Sequence, residues 1–434
     1  MTPVRHVAVI GAGPSGVYAA ARLLKQPDVR VDIYDMAPVP FGLVRYGIAP
    51  DHIRMKAVTR ALTKTLGDDR ASFFGNVEIG RDVTVEELRE AYDATIVATG
   101  ARHGIRPDIP GTEDVSGCVT ASDVVSWYNG RPGHDVFPLA GAQRVAVVGG
   151  GNVSLDVARV LLRPPTMETS DAPIGVITEL ERKPVSEVHI VVRSRAEAVK
   201  FTPAELMAFS ELDVDIDVDV PPDTVEPDDP RARQSLATLR EWSRRSRAGR
   251  DRRLVFHFRW EPAGIVAHDK AVSGLTLGRP AGGNAEQRVL DVQAVVFAIG
   301  HRGRSVPGVP FDEGRGLIVH EKGRVADALY ATGWAAFGPQ GVVGVNKGHG
   351  ETVAQTVIDD LATTVAVGSV AREALVGALR ERCHVVDWQG WNAIDTFEVA
   401  EGLPRSRPRE KVVEHDRFLA IAARTQELST IERS

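Results

Sequence analysis

The feature that most restricts the fold is a glycine-rich turn that occurs twice. Its first copy, at residues 7–23, reads VAVIGAGPSGVYAAARL: an apolar run, then Gly11, Gly13 and Gly16 in GxGxxG spacing, then a helical pattern. Glycines at this spacing permit a tight turn and let a pyrophosphate reach the backbone, and the helix N-terminus attracts the phosphate charge. The motif therefore predicts a strand, a turn and a helix that bind a dinucleotide.

The strand that follows supports this interpretation. The stretch VDIYD, residues 31–35, ends in Asp35. A carboxylate about 20 to 25 residues after the first glycine accepts hydrogen bonds from the adenosine ribose hydroxyls. We therefore predict that the first turn binds FAD or NAD, and a strand, turn and helix without a ligand is the alternative.

The second copy, at residues 144–162, reads RVAVVGGGNVSLDVARVLL and has Ser154 where the third glycine usually lies. Its next strand, VHIVVRSR, ends in Arg193 and Arg195 instead of an acid. Paired arginines bind the 2′-phosphate of NADP, which a carboxylate would repel. The second turn therefore predicts an NADP site, and the stretch between helix and strand, residues 164–175, predicts a surface loop.

The length of 434 residues predicts two domains. Strand-like segments that end in glycine occur at 95–100, 295–300 and 329–333, and the first and last of them end in Gly100 and Gly333. Such segments suggest places where the chain leaves one sheet for the other. We predict an α/β protein with two Rossmann-like domains. The first comprises residues 1–105 and 328–434, with a C-terminal extension from about 362, and the second, residues 106–327, is inserted into it.

Composition narrows the functional classes. The net charge of −6 gives the whole chain no electrostatic case for binding nucleic acid or an anionic membrane. Only Cys118 and Cys383 occur, outside any CxxC pair, so a disulfide framework, a thiolate metal site and a dithiol redox centre are excluded. Nothing resembles a signal peptide or an apolar membrane span. We expect a soluble cytoplasmic protein without a metal site.

Two further motifs carry a family resemblance. The stretch FGLVRYGIAPDH, residues 41–52, follows neither a helical nor a strand period, and GWAAFGPQGVVGVNK lies at 333–347. Together with the two glycine-rich turns, they resemble the adrenodoxin reductase-like family of ferredoxin-NADP reductases from about Val4 to Leu361. The tail WNAIDTFEVAEGLPRSRPREK, at 391–411, is similar to the bacterial branch.

The resemblance implies a glutathione reductase-like two-domain flavoprotein, with an NADP domain inserted into a discontinuous FAD domain. It implies a ferredoxin-NADP(+) reductase: a hydride passes from NADPH to FAD, and single electrons pass to an iron–sulfur ferredoxin that serves an oxygenase or another redox chain. Two alternatives stay open. One is the same fold with a quinone, small-molecule or amidotransferase acceptor, and the other is a nucleotide-binding redox sensor without turnover.

The site residues are taken from the motifs and from the resemblance. The FAD candidates are Gly11, Gly13, Pro14, Ser15, Gly16, Asp35, Leu43, Val83, Gly100, Gly333, Trp334, Gly341, Val342 and Val343. The NADP candidates are Gly149, Gly151, Asn152, Val153, Arg193, Ser194, Arg195 and Glu205. By resemblance, loop 41–52 packs on the flavin, and the main-chain N–H groups of 341–343 meet the flavin pyrimidine edge.

Two residues are assigned to the chemistry by resemblance. His52 reaches the nicotinamide side of the cavity, and Glu205, in FTPAEL, lies near the nicotinamide. Hydride transfer depends mainly on orientation and electrostatics, so both are interpreted as positioning groups in the catalytic site. Without the resemblance, His52 or Asp51 would cap the helix that begins IRMKAVTRAL, and Glu205 would be a solvated helix carboxylate.

The sequence departs from the family at one position. The family has two adjacent arginines at the 2′-phosphate, whereas here Arg193 is followed by Ser194. Either Arg195 substitutes for the missing arginine or the selectivity for NADPH is relaxed.

The last candidate is a basic segment. Residues 231–259 contain ten arginines against Glu241 and Asp251. We interpret it as a docking face for an acidic ferredoxin, with Arg240, Arg244, Arg245 and Arg247 as the contact residues, because clustered arginines raise association rates in a salt-dependent way. A solvated helix and loop is the alternative.

Overall fold

The structure is a computed structural model that describes residues 3–139, 141–164, 166, 168–279, 286–339 and 343–431, without the side chains of 343 and 425–431. The chain divides into two compact units. The first unit comprises Met1–Ile48, His52–His103 and His301–Ser434, and the second comprises Ala49–Asp51 and Gly104–Gly300.

The first unit is built on a six-stranded sheet that begins with the N-terminal strand. Its elements before the second unit are β1 (Arg5–Ile10), α1 (Pro14–Leu23), β2 (Val29–Asp35), α2 (Leu43–Tyr46), α3 (Ile53–Lys56), α4 (Thr59–Leu66), β3 (Ala71–Gly75), α5 (Val85–Ala91) and β4 (Ala94–Val97). The two-residue strand β5 (His103–Gly104) lies where the chain passes to the second unit.

The second unit contains β6 (Cys118–Thr120), α6 (Ala121–Tyr128), β7 (Arg144–Val148), α7 (Asn152–Leu162), α8 (Ile174–Arg182), β8 (Glu187–Val192), α9 (Pro203–Ser210), β9 (Asp215–Val218), α10 (Pro230–Ser243), β10 (Arg253–Phe258), β11 (Glu261–His268), β12 (Ala271–Gly278), β13 (Gln287–Leu290) and β14 (Ala294–Phe297). Strands β6, β14, β7, β8, β10 and β9 form a parallel sheet in that order. Strands β11 to β13 form a separate antiparallel sheet.

The chain then returns to the first unit with β15 (His301–Arg302), β16 (Phe311–Asp312), β17 (Leu317–Ile318), β18 (Arg324–Ala326), β19 (Leu329–Ala331), α11 (Trp334–Phe337), α12 (Val343–Leu361), α13 (Ser369–Arg382), α14 (Trp388–Gly402) and α15 (His415–Ile431). The completed sheet has the order β18, β19, β4, β1, β2, β3, and it is parallel except for β18.

Both faces of this first sheet are buried, as expected for a parallel sheet covered by helices. Alternate residues of β1 enter different cores: Val7 and Val9 pack with α1 and α12, whereas Ala8 and Ile10 pack with α5 and α13. The continuous apolar run at the start of the chain therefore follows from burial on both sides. Among the helices that the structure describes, none is long and apolar enough to cross a bilayer.

The junction between the units lies earlier than we predicted. The sequence placed the second crossing near residue 328, but residues 301–327 belong to the first unit. The physical reason is packing: Val306, Val309 and Ile318 are buried in the same core as Val83. The predicted insertion of one Rossmann-like unit into the other is confirmed.

Candidate functional site

The first glycine-rich turn is formed as predicted, and two of its glycines are required by the backbone. Gly11 has φ 116°, and a Cβ there would lie 2.4 Å from the carbonyl oxygen of Ala98. A Cβ on Gly16 would lie 2.0 Å from the carbonyl oxygen of Gly11. Neither position therefore tolerates a side chain, because a Cβ cannot approach a backbone oxygen so closely.

Gly13 differs from these two. It precedes α1 with an ordinary φ of −76°, and a Cβ there would meet no atom of the described residues within 4 Å. The protein itself does not require a glycine here, but a phosphate that approaches the helix N-terminus does. This open position is the observation by which the turn fits a dinucleotide.

Asp35 lies at the end of β2, where its carboxylate is buried and already bonded. Its Oδ2 accepts from the Ala12 N–H at 2.8 Å, and its Oδ1 accepts from the Ala37 N–H at 2.9 Å. Arg102 approaches Oδ1 at 3.4 Å. A carboxylate has about four acceptor positions, so it retains capacity for a ribose hydroxyl. Asp35 thus also fixes the turn.

The stretch at 41–47, which we predicted to be irregular, contains the single helical turn α2 that starts at Leu43. The N–H of Phe41 donates to the carbonyl of Ala12 at 2.9 Å, and a Cβ on Gly42 would lie 3.2 Å from the Cα of Gly13. Phe41 has φ 82°, a left-handed conformation that costs a bulky residue about 1–3 kcal/mol. The loop is therefore held against the glycine-rich turn at an energetic cost.

A buried ion pair anchors this loop to the C-terminal helices. Arg45 of α2 donates two hydrogen bonds to Glu398 of α14, one of them at 2.9 Å, and both side chains are buried. Burial alone would raise the pKa of Glu398, but the Arg45 charge and hydrogen bonds outweigh burial and hold that pKa below its usual range. Phe41 contributes an edge contact with Trp391, at 5.6 Å between ring centroids. Helix α14 of the C-terminal tail therefore holds loop 41–47 in place.

The later FAD candidates fall in several environments. Gly333 has φ 66°, and a Cβ there would lie 2.2 Å from the Ser15 Oγ. Ser15 in turn donates to the Asn346 side chain at 3.3 Å. The Trp334 Nε1 is buried without a hydrogen-bond partner in the described part of the chain, which is the kind of orphaned donor that a ligand satisfies.

The remaining FAD candidates provide less evidence for a cofactor site. Gly100 has φ 72° and open space at its Cβ position. The Val83 side chain is only 1% exposed and belongs to the core, so little of it is accessible to a ligand. Gly341 and Val342 lie outside the described residues, and Val343 is the first residue of α12.

The second glycine-rich turn repeats the first with one change. A Cβ on Gly149 would lie 2.4 Å from the Ala298 carbonyl oxygen, and Gly151, like Gly13, has open space at its Cβ position. Ser154 takes the place of the third glycine, and its hydroxyl donates to the Gly149 carbonyl at 3.0 Å. The serine therefore spans a gap between helix and strand that the first turn lacks.

Two NADP candidates follow this turn. Asn152 begins α7, and its amide oxygen accepts from the Thr202 N–H at 2.9 Å while its nitrogen donates to the Thr202 Oγ1 at 3.3 Å. Val153 is 36% exposed. Asn152 thus joins α7 to the start of α9, which carries Glu205 in its first turn.

The arginines after β8 are not equivalent. Arg193 is exposed and makes no hydrogen bond or ion pair with the described residues. Arg195 pairs with Glu197 and donates to Asp223, at 3.1 Å to Oδ2 and 2.6 Å to the carbonyl oxygen. Arg195 is therefore already engaged by two acidic residues.

Arg159 of α7 contacts three acidic side chains, and it was not predicted from the sequence. Its buried guanidinium donates to Asp51 at 2.9 Å twice, to Asp156 at 2.8 Å and to Glu205 at 3.2 Å. Burial lowers the pKa of Arg159, but these carboxylates reverse the effect and raise it above its usual value. Asp51 therefore pairs with Arg159, and His52 occupies the N-cap position of α3 without a capping hydrogen bond.

Most arginines of the basic segment are paired with acids, which lie either outside the segment or, for Arg245, within it. Arg240 bonds Glu226 at 2.5 Å, and Arg247 forms a bidentate pair with Asp217 at 2.8 and 2.6 Å. Arg245 bonds Glu241 at 2.5 Å. Of the four predicted docking arginines, only Arg244 makes no ion pair among the described residues. The segment is thus less basic than its sequence suggests.

Comparison with known proteins places these sites in a family. Residues 5–229 match the pyridine nucleotide-disulphide oxidoreductase family. The NADPH-ferredoxin reductase FprA of Mycobacterium leprae is 36% identical over 94% of this chain and 96% of its own. The mitochondrial NADPH:adrenodoxin oxidoreductase of Homo sapiens is 35% identical over 96% of this chain and 91% of its own.

The chain belongs to the adrenodoxin reductase-like ferredoxin-NADP reductase family. A solved structure, Mycobacterium tuberculosis FprA in complex with NADPH, is 34% identical and superposes with a TM-score of 0.90 over 97% of this chain and 100% of that chain. The resemblance and the two-domain fold class inferred from the motifs are confirmed.

Three residues of this family member were not predicted from its sequence: Arg45, Arg159 and Asn346. Arg45 and Arg159 each carried a signal, since each is an isolated charge within an apolar run, VRY and VARVLL. An unpaired charge is not buried, so such arginines imply acidic partners. The sequence does not identify those partners.

Proposed function

We propose that this protein is an NADPH-dependent ferredoxin reductase that holds FAD in its first unit and NADP(H) in its second. One observation carries the proposal: nearly full-length similarity to proteins named as NADPH-ferredoxin and NADPH:adrenodoxin reductases. The open positions at Gly13 and Gly151 support it, because each leaves room for a pyrophosphate at a helix N-terminus.

In this proposal, bound FAD would accept a hydride from NADPH and release the two electrons singly to an iron–sulfur ferredoxin. The residues of the first unit bind and orient the cofactor. Gly13 admits the pyrophosphate of the cofactor, and Asp35 accepts a hydrogen bond from a ribose hydroxyl. The Trp334 Nε1 donates a hydrogen bond to the cofactor. Loop 41–47 covers the turn and, through Arg45, is fixed to α14.

In the second unit, the residues orient the nicotinamide nucleotide. Gly151 admits the pyrophosphate, and Arg193 binds the 2′-phosphate. Glu205 accepts a hydrogen bond from Arg159, and it holds the carboxamide end of the nicotinamide or stabilises positive charge on it. His52 contributes a hydrogen bond through its imidazole. Neither Glu205 nor His52 is assigned as an obligatory proton donor.

The iron–sulfur partner docks, in this proposal, on the basic segment through Arg240, Arg244, Arg245 and Arg247. Three of these are ion-paired, so Arg244 carries the most available charge. Ferredoxin reduction should fall with added salt, and Arg244→Ala should weaken that salt dependence. A rate that does not respond to salt would refute this docking face. The cytoplasmic location also stays a prediction.

The experiment for the whole proposal is anaerobic reduction. NADPH, and separately NADH, is added to the purified protein, and loss of the oxidised flavin absorbance is followed. Rapid bleaching by NADPH, followed by reoxidation with a ferredoxin, is the expected result. Bleaching that only a quinone or small acceptor reverses would favour another acceptor, and a flavin that neither nucleotide reduces would favour a redox sensor.

A further inference from the structure

The end of β8 carries three arginines, and one of them comes from a distant part of the sequence. Arg193 and Arg195 follow β8 directly, whereas Arg259 follows β10. The N–H of Arg259 donates to the carbonyl of Ser194 at 3.1 Å. The backbone of Arg259 is therefore bonded to the residue that stands where the family has its second arginine.

One carboxylate lies between two of these cations. Asp223, whose side chain is 62% exposed, has its Oδ2 at 3.1 Å from Arg195 and at 3.9 Å from Arg259. An oxyanion between two guanidinium groups has the charge and acceptor geometry that a phosphate monoester also offers. The arrangement is thus an anion site, and Asp223 occupies part of the position that a phosphate would occupy.

The conformation of Arg259 supports a role for its side chain. Its φ is 61°, in the left-handed region where glycine or asparagine costs less than a long side chain. The backbone therefore gives no reason for an arginine at this position. The side chain is 44% exposed, and among the described residues its one ion pair is the long contact with Asp223, so its guanidinium can turn towards a ligand.

Arg195 is less suited to the same role. Its guanidinium is bonded to Glu197 and to two oxygens of Asp223, and a phosphate would have to replace these contacts. Moving the Arg259 side chain costs one weak ion pair within the part of the chain that the structure describes. The sequence offered Arg195 as the substitute for the missing family arginine, and the geometry favours Arg259.

We propose that Arg259, together with Arg193, binds the 2′-phosphate of NADPH in place of the arginine that Ser194 lacks, and that Asp223 sets the strength of this contact by competing for the same cations. The inference rests on the proposed NADPH dependence. It identifies the residues that select NADPH over NADH in this chain. Asp223 also accepts from the 2′-hydroxyl of NADH, which lowers the selectivity.

The test measures binding of two fragments to the flavin-loaded protein by calorimetry: 2′,5′-ADP, which carries the 2′-phosphate, and 5′-AMP, which does not. Arg259→Leu should weaken 2′,5′-ADP about tenfold and leave 5′-AMP unchanged, because one charge-assisted contact is lost. Arg259→Lys should recover part of the loss and guards against misfolding. Asp223→Asn should tighten 2′,5′-ADP.

A matched control is Arg231→Ala, which removes an exposed arginine of α10 and should change neither affinity. Equal binding of 2′,5′-ADP by the wild type and Arg259→Leu would overturn the inference, as would equal loss of both fragments in a folded variant. A wild type that does not distinguish the two fragments would refute the proposed NADPH dependence itself, and Arg259 with it.

Discussion

Arg159 and Asp51 form a bidentate ion pair in which both nitrogen–oxygen distances are 2.9 Å. The pair joins α7, the helix after the second glycine-rich turn, to Asp51, near the end of the stretch FGLVRYGIAPDH. The same guanidinium contacts Asp156 and Glu205. One buried cation therefore contacts three acids, including the one assigned to the nicotinamide.

Replacing Arg159 with an uncharged residue should remove a nearby positive charge from the three acids. In Arg159→Met, Glu205 and its neighbours lose a nearby positive charge, so NADP+ binding should depend more strongly on pH than in the wild type. Arg159→Lys keeps the charge and should show a flatter profile. The measurement is the dissociation constant of NADP+ against pH. A profile in Arg159→Met that matches the wild type would show that Arg159 does not act on Glu205.

The two open glycines predict variants that fold but do not bind. Gly13→Ala should keep the unfolding temperature of the flavin-free wild type and lose flavin, because its methyl group meets none of the described atoms but would meet a pyrophosphate. Gly151→Ala should retain flavin and raise the KM for NADPH at least about tenfold. Gly16→Ala is the contrasting variant, since its Cβ would lie 2.0 Å from the Gly11 oxygen and should prevent folding of the turn. Flavin absorbance and circular dichroism distinguish these results.

Removing one partner of the buried Arg45–Glu398 pair should greatly destabilise the protein, and removing both partners should destabilise it less. Glu398→Gln leaves a buried guanidinium uncompensated, which costs about 3–5 kcal/mol. The double variant Arg45→Met, Glu398→Met should recover only part of this free energy of unfolding, because Arg409 and the Val412 N–H also lose the Glu398 carboxylate. Glu401→Gln, an exposed change on the same helix, is the control. Thermal unfolding with flavin release as the signal checks all three, and a double variant as unstable as Glu398→Gln would contradict the account.

A hydrogen-bonded chain in the second unit fixes two histidine tautomers. Arg288 can only donate, so His257 accepts at Nδ1, at 2.6 Å, and donates from Nε2 to His189 Nδ1, at 2.8 Å. His189 then donates from Nε2 to Glu187, at 2.6 Å. Burial lowers the pKa of His257 to about 3, and it also lowers that of His189.

These shifts predict a loss of stability in mild acid. The unfolded imidazoles, with a pKa of about 6.5, take up protons before the folded ones, so stability falls as the pH drops below that value. For His257 alone the loss amounts to about 2 kcal/mol between pH 7 and pH 5. In His257→Gln this part of the loss should disappear, whereas the exposed His268→Gln should behave like the wild type. Hydrogen exchange of β8 and β10 amides at both pH values measures it; an unchanged pH dependence in His257→Gln would refute the assignment.

The features that the sequence predicted are those encoded locally. The glycine turns, the acid after β2 and the arginine after β8 are set by spacings of a few tens of residues. The second junction was placed too late because residues 301–327 form only very short strands, whose burial depends on the distant Val83. Arg259 was missed as a neighbour of Ser194 because strand pairing, not sequence distance, brings them together.

The partner of Arg45 lies 353 residues further along the chain. A ribosome releases loop 41–47, together with the turn that it covers, long before it reaches Glu398. Until then the guanidinium has no buried partner, and a charged loop of this kind stays in water. The second turn has no such delay, since Asp51, Arg159 and Glu205 all precede the return of the chain. The first turn is therefore completed only after the second unit, which lies between Arg45 and Glu398 in the chain, has been synthesised.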